Sequence, residues 1–357
     1  MIGQYTNRME KYIQPNERGL FDATHRLEEL HEMGDPLARL DHVVDWSAFS
    51  PVFNRLNKPA PKAPGGRPAY LPLLMFKALI IQSLYNLSDE QLEFQITDRF
   101  SFKHFLGLSD ADKSPDAKTF WAFRERLSNL GVVELLFETF HTELKGKGMI
   151  ARKGQMIDAT FVEVPRQRNS RENNASIKAG KTPEEWKDQP KKARQKDVDA
   201  RWAKKNDEKH YGYKNHVKVD TRSKLIIGFS VTNAAVHDSQ ALEELIEEGD
   251  PITYVDSAYT GAPCGRIFED NNVKAKPIDR AYKNKPLNGS QKRCNRARSK
   301  TRARVEHVFG IMSMCMRASW NRCIGTARNE SVIGMTNLVY NMIRFEQILR
   351  LGLRNWR

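Results

Sequence analysis

The run Met156-Ile157-Asp158-Ala159-Thr160-Phe161-Val162 sets a carboxylate in the middle of a segment that otherwise reads as a buried β-strand. A charge taken out of water is costly unless it is paired or binds a metal, so any fold that buries this strand must bring a cation to Asp158. A second apolar run, Ile252-Thr253-Tyr254-Val255-Asp256, ends on a carboxylate. A third carboxylate, Glu306, lies in the basic helical stretch Arg302-Ala303-Arg304-Val305-Glu306-His307-Val308-Phe309-Gly310. Two strand aspartates and one helix glutamate form an oxygen-rich set suited to hard divalent cations. They lie far apart in the chain, so a shared site requires the fold to bring them within metal-bridging reach.

Each carboxylate also has a plainer reading. Asp256, before Ser257-Ala258-Tyr259-Thr260-Gly261, can cap a turn at a strand end. Glu306 can be a surface partner of Arg302, four residues earlier. Asp158, with apolar residues on both sides, is the hardest to explain structurally. His237-Asp238 and His307 are secondary candidates. His307 adjoins Glu306 and points about 100° away from it on a helix, which suits a structural role or a DNA contact, and Asp238 is a candidate accessory carboxylate.

Charge gives the site a substrate class. The chain carries 58 Lys+Arg against 44 Asp+Glu, a formal net charge of +14, the electrostatic footprint of a nucleic-acid binder. The segment Lys274–Arg304 holds 12 Lys+Arg and a single acid, Asp279, and leads directly into the Glu306 stretch. Such a block is expected to hold phosphates beside the metals, positioning a duplex without reading its sequence. Candidate DNA contacts are Arg302, Arg304, Lys214, Lys276, Lys283, Arg296 and Arg298, with Lys118 and Arg124 in the N-terminal half. The four cysteines form no CxxC pair, which argues against zinc. No run approaches the roughly 18 apolar residues of a membrane span, and the N-terminus has no apolar signal core, so a reducing, cytoplasmic setting is expected.

The chain divides after about residue 140, and the strand pattern of the second part, 141–352, sets in at Gly154. Residues 1–65 are weakly patterned and read as an arm ending in a Pro/Gly-rich linker. Residues 66–140 carry a helical period, with Leu73, Leu74, Ala78 and Ile81 on one face. Ser88 and Gln91 make a capping box, and a further helix starts near Ser114-Pro115-Asp116 and shows Lys118 and Arg124 on its outer face. Three short helices of this kind suit a helix-turn-helix DNA reader or a scaffold bundle, and period alone does not choose. From Gly154 to about residue 352 the reading is strand, long insert, hairpin (Tyr213–Val219 and Leu225–Val231), helix, strand, helix, strand, and two helices. That order predicts a mixed sheet with helices on its faces. The polar insert, 166–209, contains Trp186 and Trp202, is expected to be helical in its second half, and offers no core of its own. Either tryptophan can pack the insert onto the core or, like Tyr282, stack on an unpaired base.

The motifs together resemble a known family. Gly66–Leu108 (GRPAYLPLLMFKALIIQSLYNLSDEQLEFQITDRFSFKHFLGL) is similar to the N-terminal domain of bacterial insertion-sequence transposases of family five. Gly212–Ile246 (GYKNHVKVDTRSKLIIGFSVTNAAVHDSQALEELI) resembles the middle of their catalytic domain. GQMIDAT, YVDSAYTG and RARVEHVFG resemble the segments that carry the family's two aspartates and glutamate. The resemblance implies a ribonuclease-H-like α/β catalytic domain behind an all-helical DNA-binding region, with Asp158, Asp256 and Glu306 as a DDE triad holding two Mg2+ ions, for which Mn2+ substitutes. It implies cutting at the terminal inverted repeats of a mobile element, joining of the 3′-hydroxyl ends to target DNA, and a homodimer or higher oligomer on double-stranded DNA. In the related signature around the glutamate, Ser299 stands where a tyrosine is expected and Ser313 where a lysine is expected. Those departures touch flanking-base contacts and leave the triad intact. A domesticated DNA-binding protein and a nuclease that cuts without joining are the alternatives.

Overall fold

The computed structural model describes residues 22–56, 68–205, 207–282 and 286–353. The linker stretch 57–67, the first 21 residues and Lys283 lie outside the described residues. The N-terminal half is helical: α1 (Asp22–Glu32), α2 (Pro36–Val43), α3 (Ser50–Asn54), α4 (Pro72–Tyr85), α5 (Asp89–Asp98), α6 (Phe100–Leu106), α7 (Ala117–Asn129) and α8 (Val132–Gly146). The expected caps are present. Ser88 and Gln91 bond reciprocally at the start of α5, and the Asp116 side chain accepts from the Thr119 amide at the start of α7. Part of the stretch expected to be an arm is instead core. Leu37, Leu40, Val44, Phe49 and Phe53 are buried with Phe76 and Phe140, because apolar residues three and four apart in α2 give a helix a face to bury.

The second half carries β1 (Gln155–Glu163), α9 (Arg171–Lys178), α10 (Glu184–Lys187), α11 (Pro190–Ala193), β2 (Arg201–Lys205), β3 (Glu208–Asp220), β4 (Ile226–Asn233), α12 (Leu242–Leu245), β5 (Thr253–Val255), α13 (Ala262–Asp270), β6 (Ala275–Pro277), α14 (Gly289–Cys315) and α15 (Thr326–Arg350). Among the described residues they form one six-stranded mixed sheet. The strand order is β4-β3-β1-β5-β6, with β2 beside the first half of β3. β1, β3 and β4 pair antiparallel, while β1, β5 and β6 run parallel. This is the ribonuclease-H-like arrangement, with helices on both faces.

The insert differs from expectation. Two of its helices, α9 and α10, lie in its first half and only the short α11 in its second, and its end is strand β2, which pairs with an N-terminal extension of β3. Cross-strand pairing there overrides the weak local preference. Trp186 is buried, with Lys196 against its ring, and packs the insert. Trp202 is half exposed.

Helix α15 joins the two halves. Leu338, Val339, Met342, Phe345 and Ile348 share one buried cluster with residues of α2–α8 and of the sheet, each contributing about 1.5–3 kcal/mol by burial. Its polar residues are satisfied in pairs. Asn337 and Asn215 exchange two hydrogen bonds, and the Asn341 amide accepts from Ile226 N and donates to Ile226 O. The sheet is thereby fixed in register against the helix that supports it. Close approach of β1 and β3 also demands one glycine. A Cβ on Gly212, at φ +149°, would stand 2.3 Å from Val162 O and 3.0 Å from Val164 N. Gly212→Ala is therefore expected to destabilise the chain by roughly 2–4 kcal/mol, measured as a lower urea midpoint at unchanged slope.

Candidate active site

Two strands and one helix position the site. β1 and β5 are parallel, with Gln155 opposite Thr253 and Met156 opposite Tyr254. Continuing that register sets Asp158 beside Asp256, which follows the last residue of β5. Asp256 also caps the turn after it, accepting from the Ser257 amide at 2.6 Å, as the plainer reading expected. Helix α14 crosses this end of the sheet, with Val305, Val308 and Met312 on its buried side. It begins at a capping box of Asn288 and Gln291, so most of the basic block is ordered helix. Arg302 and Glu306, four residues apart, project from neighbouring turns of one face.

The closest contacts are made by Arg302. Its guanidinium donates to Asp158 Oδ2 at 2.6 Å and lies 3.6 Å from Asp256 Oδ1. Asp158 and Arg302 are 16% and 15% exposed in their side chains, against 46% for Asp256, so the first pair is largely removed from water. Asp158 Oδ1 accepts from the Ala159 amide. Burial raises the Asp158 carboxyl above its usual range; Arg302 and the Ala159 amide oppose this, and Glu306 adds to it. The structure thus brings Asp158 and Asp256 together around one guanidinium, while Glu306 stays exposed one turn further along α14. Among the described residues no three His, Cys, Asp or Glu side chains cluster closely enough to hold a metal ion. Three carboxylates repel one another without a cation between them, and here the guanidinium supplies that charge for two. The donor set still fits a hard divalent ion, since carboxylate oxygens from adjacent strands already converge on one cationic group.

The candidate DNA contacts fall into two groups. Several have their charge engaged within the chain. Arg124 makes a two-pronged bond to Asp89 and a third to Gln82. Lys214 donates to Asp238 and to Val236 O, which also neutralises the candidate accessory carboxylate. Arg298 holds Asp279 and Pro277 O, and Arg304 donates to Thr221 O. By contrast Lys118 and Arg296 are exposed, and Lys276 is partly so. Lys292, Arg293 and Lys300, not singled out by sequence, are exposed on the same helix as Arg296. Sequence also missed the clamp role of Arg302; its spacing from Glu306 was a signal, but for the wrong partner.

Behind the carboxylates lies a buried polar group. His216 Nε2 bonds Thr232 at 2.9 Å, and its Nδ1 and the Tyr259 hydroxyl are buried without partners. Burial pushes the His216 pKa down to about 4, with Asp238 opposing. In the unfolded chain this histidine takes up a proton below about pH 6.5, whereas folded it stays neutral until about pH 4. Its contribution to stability is therefore lost progressively as pH falls from 6.5 towards 4. Asp158, with a raised pKa, acts in the opposite direction, so the readout is a difference. His216→Gln is expected to lose less melting temperature than the wild type between pH 7.5 and 5, and equal losses would contradict the assignment.

Comparison with known proteins fits this geometry. The family model described as "Transposase DDE domain" matches residues 151–342, and one described as "Transposase domain (DUF772)" matches residues 25–126. The fold and site define a ribonuclease-H-like protein with a carboxylate-lined centre, and the first match covers more than half of the sequence. The chain belongs to the Transposase DDE domain family. A solved structure, "Crystal structure of a pre-cleavage Mos1 transpososome", matches 96% of this chain and 91% of that chain at 12% identity and a TM-score of 0.18, a likeness too loose to bear on the fold. Among the described residues no helix is long and apolar enough to cross a membrane.

Proposed function

We propose that this chain is a transposase of the insertion-sequence family-five type. It binds the terminal inverted repeats of its element in the bacterial cytoplasm, cuts at the element ends and joins the freed 3′-hydroxyls to target DNA. The observation that carries this reading is the pair of adjacent-strand carboxylates, Asp158 and Asp256, meeting a basic helix that also bears Glu306. These three would hold the metal. Two Mg2+ ions, or Mn2+ in their place, supply activation of the attacking oxygen and stabilisation of the leaving one when bound.

The chain's own residues do the rest. The sheet fixes Asp158 and Asp256 on adjacent strands, so that neither must be ordered at the moment of reaction. The exposed cations of α14 (Lys292, Arg293, Arg296 and Lys300) lie on the helix that leads to the site and would seat the phosphate backbone there. In the N-terminal bundle the surface for DNA is the Lys118 side of α7, since Arg124 is held by Asp89.

The experiment is incubation of the purified chain with duplexes carrying the element's ends, target plasmid and Mg2+. Products in which an end is covalently joined to target are expected. Cutting without joining would identify a nuclease, and binding without cutting a domesticated DNA-binding protein. Joining two ends to one target needs two active sites facing one duplex, which a two-fold assembly supplies. The mass of the complex on end DNA is accordingly expected to contain at least two protomers, and a competent complex with one protomer would defeat that expectation.

A further inference from the structure

Arg302 lies where two carboxylates converge, with Asp158 Oδ2 at 2.6 Å and Asp256 Oδ1 at 3.6 Å. Its contacts are unequal, and its Nε–H is buried with no hydrogen-bond partner. A guanidinium in a permanent buried pair has its donors satisfied, so this one fills a charge requirement with an incomplete set of bonds. The carboxylates need positive charge in that place, and a metal ion and the guanidinium compete for it, because Arg302 already occupies the oxygens that would ligate the metal, Asp158 Oδ2 above all. Arg302 has a long side chain on a helix that also carries exposed basic residues, among them Arg296 and Lys300.

We propose that Arg302 is a displaceable counter-cation: it holds Asp158 and Asp256 in the metal-free chain and is released to a DNA phosphate when a divalent ion replaces it. This rests on the reading of the carboxylates as a metal site. Two consequences follow from linkage. Metal affinity in the free protein is lowered by the fraction of molecules in which Arg302 occupies the site. Metal and DNA also favour one another's binding, because each draws Arg302 away from or out of the carboxylate pair.

The test is Mn2+ binding to the full chain without DNA, read from the free-Mn2+ signal in electron paramagnetic resonance. Arg302→Gln is expected to bind Mn2+ about tenfold tighter than the wild type, the factor for a competitor present in roughly nine molecules of ten. It should also melt at a lower temperature in EDTA, since Asp158 loses its counter-charge. Arg302→Lys, which keeps a cation, should bind Mn2+ close to the wild-type value. Equal or weaker Mn2+ binding by Arg302→Gln overturns the proposal. If that variant does not fold, arginine Nε–H NMR of the wild type during a Mg2+ titration decides. The resonance missing from Arg302→Lys should then shift saturably, and one that stays in place overturns the proposal. The wild type separates the two readings. If it neither binds Mn2+ nor cuts duplex ends, the metal-site reading falls. If it cuts while Arg302→Gln gains no affinity, only the displaceable cation falls.

Discussion

Asp158→Asn is expected to abolish end cleavage, with a loss of at least about a thousandfold, while leaving the protein folded and bound to DNA: removing a single pre-placed electrostatic group from an active site costs about 10²–10³ in rate, and here the proposed metal loses a ligand as well. The substitution keeps the shape of the side chain and removes only its charge. Burial raises the Asp158 carboxyl despite Arg302, so the folded state already disfavours the charged form, and the neutral amide is expected to melt at the same temperature or higher. Affinity for DNA should hold or rise, because a negative charge near phosphate is gone. Asp256→Asn and Glu306→Gln are expected to give the same loss of cleavage. The assay is strand cleavage of labelled end duplexes in Mg2+, beside a melting curve and a binding isotherm on the same preparations. Wild-type cleavage by any of the three would remove that residue from the triad. A loss of cleavage together with a collapse in melting temperature would assign it to the scaffold instead.

DNA affinity is expected to fall roughly 10³–10⁵-fold between 50 and 200 mM salt, the response of a protein that neutralises about 6–10 phosphates. The net charge of +14 is the first reason, and the exposed line of Lys292, Arg293, Arg296 and Lys300 on α14 is the second. Each phosphate contact contributes about 0.9 to the slope of log affinity against log salt. Changing these four residues to Gln should therefore reduce the slope by up to about 3.6 and weaken binding similarly on all sequences. Arg124→Gln should act differently. Its guanidinium is committed to Asp89 and Gln82, so it should lower the melting temperature and leave the salt slope unchanged. A flat salt response of the wild type would remove the electrostatic account of binding.

Much of this molecule is written locally. The apolar strand run around Asp158, the capping box at Ser88 and the cap at Asp116 act over a few residues, and the folded chain keeps each of them. The mixed sheet follows from the order of strands and helices, since parallel β1 and β5 need a long crossover and antiparallel β3 and β4 need only a turn. Burying a strand with an aspartate in it already implied that a cation must come to that place. The identity of the cation was not legible. Arg302 is 144 residues from Asp158, and its local spacing singles it out only as a neighbour of Glu306, not as the partner of Asp158, while Arg298 and Arg304 on the same helix bond Asp279 and Thr221 instead. The same holds for Arg124 and Lys214, whose charges face the protein's own acids rather than solvent. Residues 37–56 joined the core and the end of the insert became β2 because apolar faces and strand edges are completed by whatever packs against them. Residue type and spacing fix which side chains carry charge and which segments form helices or strands, whereas the pairing of those charges depends on distances that exist only once the chain has closed on itself.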